Sequence, residues 1–270
     1  MADSCPPELE WETRQGVREY IQRKTREDPY YALVTGVLHG APADYTATQP
    51  YVDEILRQGP EHFTRASENA RFLNTHLKGA GGRPVRYQFS RQKAPVLAEM
   101  SQCFLDNINK GRMGAAKHCA NRDVKGIGRK GRNLVLEYLG DDNAVAVDRH
   151  VFNYLNLYRG WTPPRKVVWG SHGIRVDDEE IQEAAEKEIK RIAHECGKKP
   201  SEVQVAAWLK GACDARLKAK GRKGKPVVWM GEDKIIQCRE REHLRPSGYQ
   251  IRRTKKPRRA TAPAKVRPLF

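Results

Sequence analysis

The feature that most constrains this chain is a pair of glycines, Gly126 and Gly128, which flank the single apolar residue Ile127. Two glycines at this spacing allow a tight turn between helices, because glycine adopts backbone conformations that other residues avoid. The apolar run at 134–139 then predicts a helix whose buried face holds the turn against the body of the protein. We therefore expect a hairpin between two helices. Its backbone N–H groups would be exposed at the start of the second helix, an arrangement that binds anions.

Basic residues surround this turn. Lys125, Arg129 and Arg132 would add positive charge to the exposed amides. Lys130 falls in the first turn of the predicted helix, where the positive end of the helix dipole disfavours a charged amine. An uncharged lysine amine is a nucleophile that forms a Schiff base with a carbonyl-like carbon. Lys130 is therefore a candidate nucleophile, and the alternative is an ordinary solvated lysine.

A second helix start lies further along the chain. Asp148 follows the apolar, strand-like run AVAV at 144–147 and precedes the helical run at 151–158. Its simplest role is to cap that helix. A G-x-G turn, a surface lysine and a capping aspartate are each unremarkable alone. Together, with Lys130 and Asp148 separated by 148 − 130 = 18 positions behind the hairpin, they indicate one shared site.

The charge of the chain points to a polyanionic partner. The 270 residues include 50 Lys and Arg against 33 Asp and Glu, giving a net charge of +17 and a pI near 9.7. Nucleic acid is the first candidate, because each phosphate that binds a cationic side chain releases condensed counterions. An anionic membrane surface is the second candidate, and ribosome-associated proteins share this signature. No apolar run is long enough to span a bilayer, and the N-terminal run MADSCPPELEWE lacks a secretory pattern. We expect an intracellular protein, in the cytoplasm or nucleoid, or in the nucleus of a eukaryote.

The cysteines are scattered singly along the chain, without a C-x-x-C pair. This spacing argues against a zinc site and against an iron–sulfur cluster. In an intracellular protein such cysteines stay reduced, so we expect buried thiols. The six residues concerned are Cys5, Cys103, Cys119, Cys196, Cys213 and Cys238.

The remaining pattern predicts a mainly α-helical fold. A flexible lead-in at 1–16 precedes a helical domain at 17–215, which contains the hairpin segment 123–139 and the Asp148 segment 144–158. A basic extension at 216–270 follows, with a small hairpin at 226–238 and a disordered tail. Within the domain we expect a polar loop at 41–50, helices at 30–38, 62–77 and 94–108, a long helix from Asp177 closed by Gly197, and a shorter helix from Pro200.

The run at 124–152, VKGIGRKGRNLVLEYLGDDNAVAVDRHVF, resembles the helix-hairpin-helix (HhH-GPD) motif of the endonuclease III superfamily of DNA glycosylases. Gly126, Ile127 and Gly128 occupy the hairpin positions of that motif. Lys130 falls on the lysine that forms a Schiff base in the bifunctional members. The close match covers about thirty residues, and a weaker similarity in helix order extends it over roughly 20–215.

The second half of the motif matches as well. Asp148 falls on the catalytic aspartate, and its spacing of 18 from Lys130 is that of endonuclease III. The block VDRHVF resembles the Val-Asp-x-His-Val block of the family and places His150 at a structural position that the family commonly uses.

Some positions depart from the pattern. Lys125 replaces the usual proline, and Gly131 and Arg132 replace small or β-branched helix residues. The four-cysteine cluster of endonuclease III is absent, so the chain resembles the cluster-free 8-oxoguanine glycosylases more closely. The position of the DNA-inserting glutamine of endonuclease III falls on Ala41, which leaves the residue that fills the DNA void unassigned.

The resemblance implies a two-lobed helical glycosylase fold with a basic C-terminal extension. It implies a base-excision-repair DNA glycosylase with AP lyase activity. Such an enzyme acts as a monomer on double-stranded DNA that contains a damaged base, with 8-oxoguanine as our first expectation. Lys130 would attack the sugar C1′, and Asp148 would activate it and stabilise the cationic sugar. The DNA-contacting residues would be Lys125, Gly126, Ile127, Gly128, Arg129, Arg132 and His150.

No redox cofactor or iron–sulfur cluster is implied. The hairpin of the family often holds a monovalent cation against a DNA phosphate, so the hairpin here is a candidate site for one. Two other functions stay open. In a monofunctional glycosylase, Lys130 would only contact phosphate. In a non-catalytic DNA- or RNA-binding protein the hairpin would only bind the nucleic acid. Such a protein has no need of the carboxylate of Asp148.

Overall fold

The computed structural model describes residues 5–6, 11–39, 45–79, 82, 84–162, 169–170, 173–174, 179–218, 227–229 and 235–237. In these residues the fold is mainly α-helical, as the sequence predicts. The helices are α1 Trp11–Glu27, α2 Tyr30–His39, α3 Tyr45–Gln58, α4 Ala66–Asn74, α5 Ser90–Asp106, α6 Arg112–Ala120, α7 Gly128–Tyr138, α8 Arg149–Arg159, α9 Glu179–Cys196 and α10 Pro200–Lys218.

Short elements complete the described part of the chain. Two turns of 3₁₀ helix lie at Pro60–Phe63 and Ile108–Lys110. The strands form three antiparallel pairs, of which the last lies within the predicted hairpin at 226–238. The pairs are β1 His76–Lys78 with β2 Pro84–Arg86, β3 Trp169–Gly170 with β4 Gly173–Ile174, and β5 Val227–Trp229 with β6 Ile235–Gln237. The predicted disordered tail lies outside the described residues.

Two apolar cores organise the helices. The first has α2 at its centre, all of whose residues are buried, and takes side chains from α1, α3 to α7 and α10. The second is formed by α8, α9 and α10 together with Val145 and Val147. Helix α10 contributes to both cores, and Trp208 packs against each of them. The segment that leads to Asp148 therefore lies close to where the two cores meet.

Several predicted boundaries are wrong. Helix α1 begins at Trp11, inside the range expected to be a flexible lead-in. Helix α3 begins at Tyr45 and includes Pro50, although the sequence predicts a loop there. A proline removes one helical hydrogen bond, and the burial of Tyr51, Val52 and Ile55 offsets that loss.

Other segments differ in kind or length. The predicted helix at 62–77 is divided among a 3₁₀ turn, α4 and β1. The run at 144–147 is buried but forms no strand. Its carbonyl groups instead accept hydrogen bonds from Asn133 (2.8 Å, at Val145) and Gln204 (2.9 Å, at Ala146). Helix α5 starts at Ser90, four residues before the expected start, and α10 continues to Lys218, past the expected domain boundary.

The C-terminal helices follow their local signals. Helix α9 ends at Cys196, and Gly197 follows with a φ of +60°. The amide of Lys198 donates to the carbonyl of Ala193 (2.9 Å), which closes the helix in the way a glycine after the last residue allows. Helix α10 then begins at Pro200, where a missing N–H is tolerated. The predicted start of α9 at Asp177 lies outside the described residues.

Four cysteines are joined in disulfides, so the prediction of reduced thiols is wrong for them. Cys103 of α5 is bonded to Cys119 of α6, with the Cα atoms 5.9 Å apart. Cys5 is bonded to Cys196 at the end of α9. The side chain of Cys213 and the whole of Cys238 lie outside the described residues. Among the helices that the structure describes, none combines the length and the apolar character needed to cross a membrane.

Candidate active site

The predicted hairpin is present between α6 and α7. Gly126 and Gly128 have φ values of +95° and +64°, a region that favours glycine. A Cβ at Gly126 would lie 2.9 Å from Cγ2 of Val96 on α5, whereas one at Gly128 would meet nothing within 4 Å. Gly126 is therefore required both for its backbone conformation and for close packing, and Gly128 for its conformation alone.

The start of α7 is open to an external anion. Gly126 and Gly128 are exposed, and no described side chain caps the first turn of α7. That turn also contains no acidic residue. The first amides of a helix have no partner within the helix, and they carry the positive end of its dipole. This end of α7 can therefore accept a phosphate.

Lys130 and Asp148 lie together beside this helix start. The Nζ atom of Lys130 is 3.6 Å from Oδ2 of Asp148 and donates to the backbone carbonyl of His39 (3.3 Å). The side chains of Lys130 and Asp148 are 22% and 12% exposed, so Lys130 is the more accessible of the two and Asp148 is nearly buried. The two residues that the sequence predicts to share a site are thus in contact range.

Two more glycines set the position of Lys130. A Cβ on Gly36 of α2 would lie 3.2 Å from the carbonyl oxygen of Gly131 on α7, and a Cβ on Gly131 would lie 3.2 Å from that of Gly36. The first would also overlap the side chain of Val135. Because both residues lack side chains, α2 and α7 approach closely enough for Lys130 to reach the C-terminal carbonyl of α2.

Asp148 caps α8, as the sequence predicts. Its Oδ1 accepts from the amides of His150 (2.8 Å) and Val151 (3.2 Å), and its Oδ2 accepts from the indole N–H of Trp208 (3.0 Å). Burial raises the pKa of the carboxyl. Lys130, His150 and the two amides together outweigh burial and hold the pKa of Asp148 below its usual range. The carboxylate is therefore buried and ionised at neutral pH.

Two buried basic groups adjoin Lys130. Burial, with a smaller contribution from the charge of Lys130, lowers the pKa of His39 to about 3, so His39 is uncharged at neutral pH. Lys93 of α5 is only 7% exposed and donates from Nζ to the carbonyl of Gly126 (2.8 Å). Burial and then Lys130 lower the pKa of Lys93. Of the three basic side chains Lys130, His39 and Lys93, Lys130 is therefore the most exposed.

Arg129, a predicted DNA-contacting residue, is paired with acidic residues of α9. Its guanidinium binds Glu186 of α9 through two hydrogen bonds (2.7 and 3.1 Å) and Glu183 through a third (2.8 Å). Asn133 adds a hydrogen bond to Glu186 (2.9 Å). The hydrogen bond with Glu186 is the largest cause of the raised pKa of Arg129. Arg129 therefore joins α7 to α9, and its charge is paired with Glu183 and Glu186.

The other predicted contact residues fall in different environments. Lys125 is exposed on the hairpin, and Arg132 is paired with the exposed Asp123 (2.8 Å). Ile127 is 5% exposed and packs in the first core, so its side chain is not available to a ligand. His150 is partly buried, with its ring edge-to-face against Trp208 at a centroid distance of 6.1 Å.

A metal cation at the hairpin does not fit the residues present. The carbonyl of Gly126 already accepts from the ammonium of Lys93, and that of Val124 accepts from the amide of Ile127 (3.2 Å). A cation at this turn would share its oxygen ligands with a buried ammonium. Among the residues that the structure describes, no group of three or more His, Cys, Asp or Glu could hold a metal ion.

Three residues of the site were not predicted as functional. Trp208, Lys93 and His39 belong to no sequence motif. They reach the site from α10, α5 and α2. Their only sequence signal is a polar or amphipathic side chain on an otherwise apolar helix face, which does not identify the partner. Comparisons with family models, with curated proteins and with solved structures found no match to this chain.

Proposed function

We propose that this protein is a base-excision DNA glycosylase with AP lyase activity, in which Lys130 is the nucleophile and Asp148 the electrostatic partner. One observation carries the proposal: Lys130 Nζ lies 3.6 Å from Oδ2 of Asp148, beside a helix start that has no protein cap. The two apolar cores, with α10 in both, support the two-lobed helical fold that such an enzyme uses.

Binding would begin at the hairpin. The exposed amides at the start of α7 and the exposed Lys125 favour a DNA phosphate, because both present positive charge at the same surface. The target nucleotide would then be turned out of the duplex, since a base stacked in DNA is not accessible to Lys130. Contacts to phosphate position the DNA and carry no information about the damaged base.

The chemistry would use the pair in sequence. The ammonium of Lys130 first loses a proton, which passes to the departing base. The amine then forms a bond to C1′ as the bond between C1′ and the base nitrogen breaks, and the electron pair of that bond leaves with the base. The carboxylate of Asp148 stabilises the positive charge that develops on the sugar. The sugar ring then opens as a proton moves from the lysine nitrogen to the ring oxygen, which gives a Schiff base. In the β-elimination a C2′ proton passes to water, a double bond forms between C2′ and C3′, and the bond between C3′ and its phosphate oxygen breaks. Hydrolysis of the Schiff base by water releases Lys130.

The test is borohydride trapping on duplexes that contain 8-oxoguanine, an oxidised pyrimidine or an abasic site. Wild type is expected to form a covalent adduct with at least one of them, and Lys130→Gln with none. Lys117→Gln is the matched control, because Lys117 is an exposed lysine of α6 away from the hairpin glycines. Failure of the wild type to form an adduct with every duplex would exclude the lyase step.

A monofunctional glycosylase is the second candidate. It is favoured by the contacts of Lys130, because its Nζ already has two polar partners, the carboxylate of Asp148 and the carbonyl of His39. In that case the base would be released while the strand stays intact until it is treated with alkali. A duplex that binds without losing its base would indicate instead a non-catalytic nucleic-acid-binding protein.

A further inference from the structure

We propose that Lys93 acts as a built-in cation of the hairpin, so that the grip of the hairpin on a DNA phosphate does not depend on bound K⁺ or Na⁺. This inference rests on the proposed function. It also departs from the resemblance, which implies a monovalent metal ion at this turn. The contact that carries it is the hydrogen bond from Lys93 Nζ to the carbonyl oxygen of Gly126 (2.8 Å).

Helix α5 holds the hairpin through one face. Lys93 and Val96 are three residues apart, a spacing that places both on the same side of the helix. Lys93 binds the carbonyl of Gly126, and Val96 lies so close to the same residue that a Cβ there would be 2.9 Å from Cγ2. Gly126 is therefore held by a polar contact at its carbonyl oxygen and by an apolar contact at its Cα.

The ammonium of Lys93 is buried, and no carboxylate among the described residues is paired with it. The side chain is 7% exposed, and in the described part of the chain its hydrogen bond goes to a neutral carbonyl and not to a carboxylate. A buried, uncompensated charge is destabilising, and such groups concentrate at functional sites. The positive charge of Lys93 adds to the positive end of the α7 dipole, because the carbonyl of Gly126 that it binds lies two residues before the start of α7.

A second cation at the same oxygen would be repelled. Metal ions bind such turns through carbonyl oxygens, and the carbonyl of Gly126 already faces an ammonium. Lys130 also contributes positive charge to this region, and its effect on Lys93 is unfavourable. The hairpin therefore already contains, as part of the chain, the positive charge that a metal ion would supply.

The experiment measures binding of a duplex that carries a tetrahydrofuran abasic analogue. Wild type, Lys93→Met, Lys93→Arg and the control Lys117→Met are compared in KCl, NaCl, LiCl and tetramethylammonium chloride at one ionic strength. The affinity of wild type, Lys93→Arg and Lys117→Met should vary by no more than about 2-fold among the salts, because only ionic strength then matters. Lys93→Met should bind about 10-fold more weakly in tetramethylammonium chloride and recover part of that loss in KCl.

Recovery in KCl separates this role from a purely structural one, since a merely loosened hairpin would not respond to the identity of the cation. The idea is overturned if the wild type binds much more tightly in KCl than in tetramethylammonium chloride, or if Lys93→Met behaves as the wild type does. If no variant binds DNA in any salt, the proposed function fails instead. Amide hydrogen exchange at 124–131 then decides on Lys93: exchange in Lys93→Met that is faster than in wild type in tetramethylammonium chloride and slows in KCl supports its role, and exchange that does not depend on the cation refutes it.

Discussion

The starts of α7 and α8 lie on two sides of the candidate site and are completed in opposite ways. The start of α8 is closed, because both oxygens of Asp148 accept hydrogen bonds, from two amides and from the indole of Trp208. The start of α7 has no described side-chain cap and presents two exposed glycines. One helix start thus holds a carboxylate that belongs to the protein, and we propose that the other binds an anion from outside.

The difference explains where the charges of the site reside. Asp148 is held as a carboxylate although it is buried, so it can remain next to the ammonium of Lys130 without taking its proton. Lys130 belongs to the open helix and reaches the cap of the closed one. A phosphate at the start of α7 would therefore meet positive charge. A cationic sugar near Asp148 would meet negative charge close by.

Removal of the charge at the closed start should have the largest effect. Asp148→Asn is expected to lower base excision by about 10²- to 10⁴-fold, because asparagine cannot stabilise a cationic sugar electrostatically. Asparagine caps helices about as well as aspartate, but its amide would face the indole N–H of Trp208, so stability should also fall by about 1–3 kcal/mol. Single-turnover kinetics at a temperature where both proteins are folded would check this. Base release at the wild-type rate would contradict the role of Asp148.

The open start should be sensitive to added side chains, and unequally so. Gly126→Ala meets both a positive φ and Val96, so we expect destabilisation by about 2–3 kcal/mol and weaker DNA binding. Gly128→Ala has space for its Cβ and should lose only about 1 kcal/mol from the backbone conformation. Chemical denaturation of both variants gives the comparison. Equal losses would show that packing against α5 contributes nothing.

Trp208→Phe should remove one hydrogen bond to Asp148 while Asp148 continues to cap α8. The indole N–H stabilises the charged form of Asp148, so its loss should raise the pKa of that carboxyl and move the acidic limb of the pH–rate profile to higher pH. Excision at neutral pH should fall by about 10-fold. The control is Trp161→Phe, because Trp161 packs against Phe152 of the second core.

The effect on stability has a definite sign. The pKa of Asp148 in the folded protein lies below its ordinary value of 3.8, so its contribution to stability is present above that pH and is lost as the pH falls through the folded value. In Trp208→Phe the contribution should be smaller and should be lost completely at a higher pH. Carboxyl ¹³C shifts of Asp148 measure the change without any substrate, and identical titrations in both proteins would refute the assignment.

The smallest effects are expected at Lys125 and Arg129, two nearby cationic residues that should respond differently. Lys125→Met should weaken DNA binding a few-fold and reduce the dependence of log Kd on log salt by about 1, because one phosphate contact is lost. Arg129→Met should leave that slope unchanged and instead lower stability, since Glu186 is 10% exposed and would keep an uncompensated charge. Salt titrations of both variants would test this. A reduced slope in Arg129→Met would restore the role that the sequence predicts.

The parts of the fold that the sequence predicts are those with local signals. The glycine pair predicts the hairpin, Asp148 predicts the start of α8, and Gly197 predicts the end of α9, because each acts within one turn of the chain. The start of α3 was missed because burial of its later residues outweighs the loop signal of the polar run with Pro50.

The contacts of the site could not be read in the same way. The guanidinium of Arg129 meets glutamates more than fifty positions later, and Trp208 is sixty positions from Asp148. Nothing in the local pattern of either residue specifies such a partner, since both depend on how α9 and α10 pack. The same holds for the bond between Cys103 and Cys119, whose spacing carries no motif. The sequence predicts that Lys130 and Asp148 lie together, but not which residues hold them in place.

The glycines at 36 and 131 extend this point to the search for functional positions. Neither has a side chain that could touch a substrate, yet each would push α2 and α7 apart if it gained one methyl group. The distance between Lys130 and the carbonyl of His39 therefore depends on the lack of a side chain at both glycines. A mutational survey restricted to acids, bases and nucleophiles would omit Gly36 and Gly131. These two glycines set how closely Lys130 approaches the carbonyl of His39.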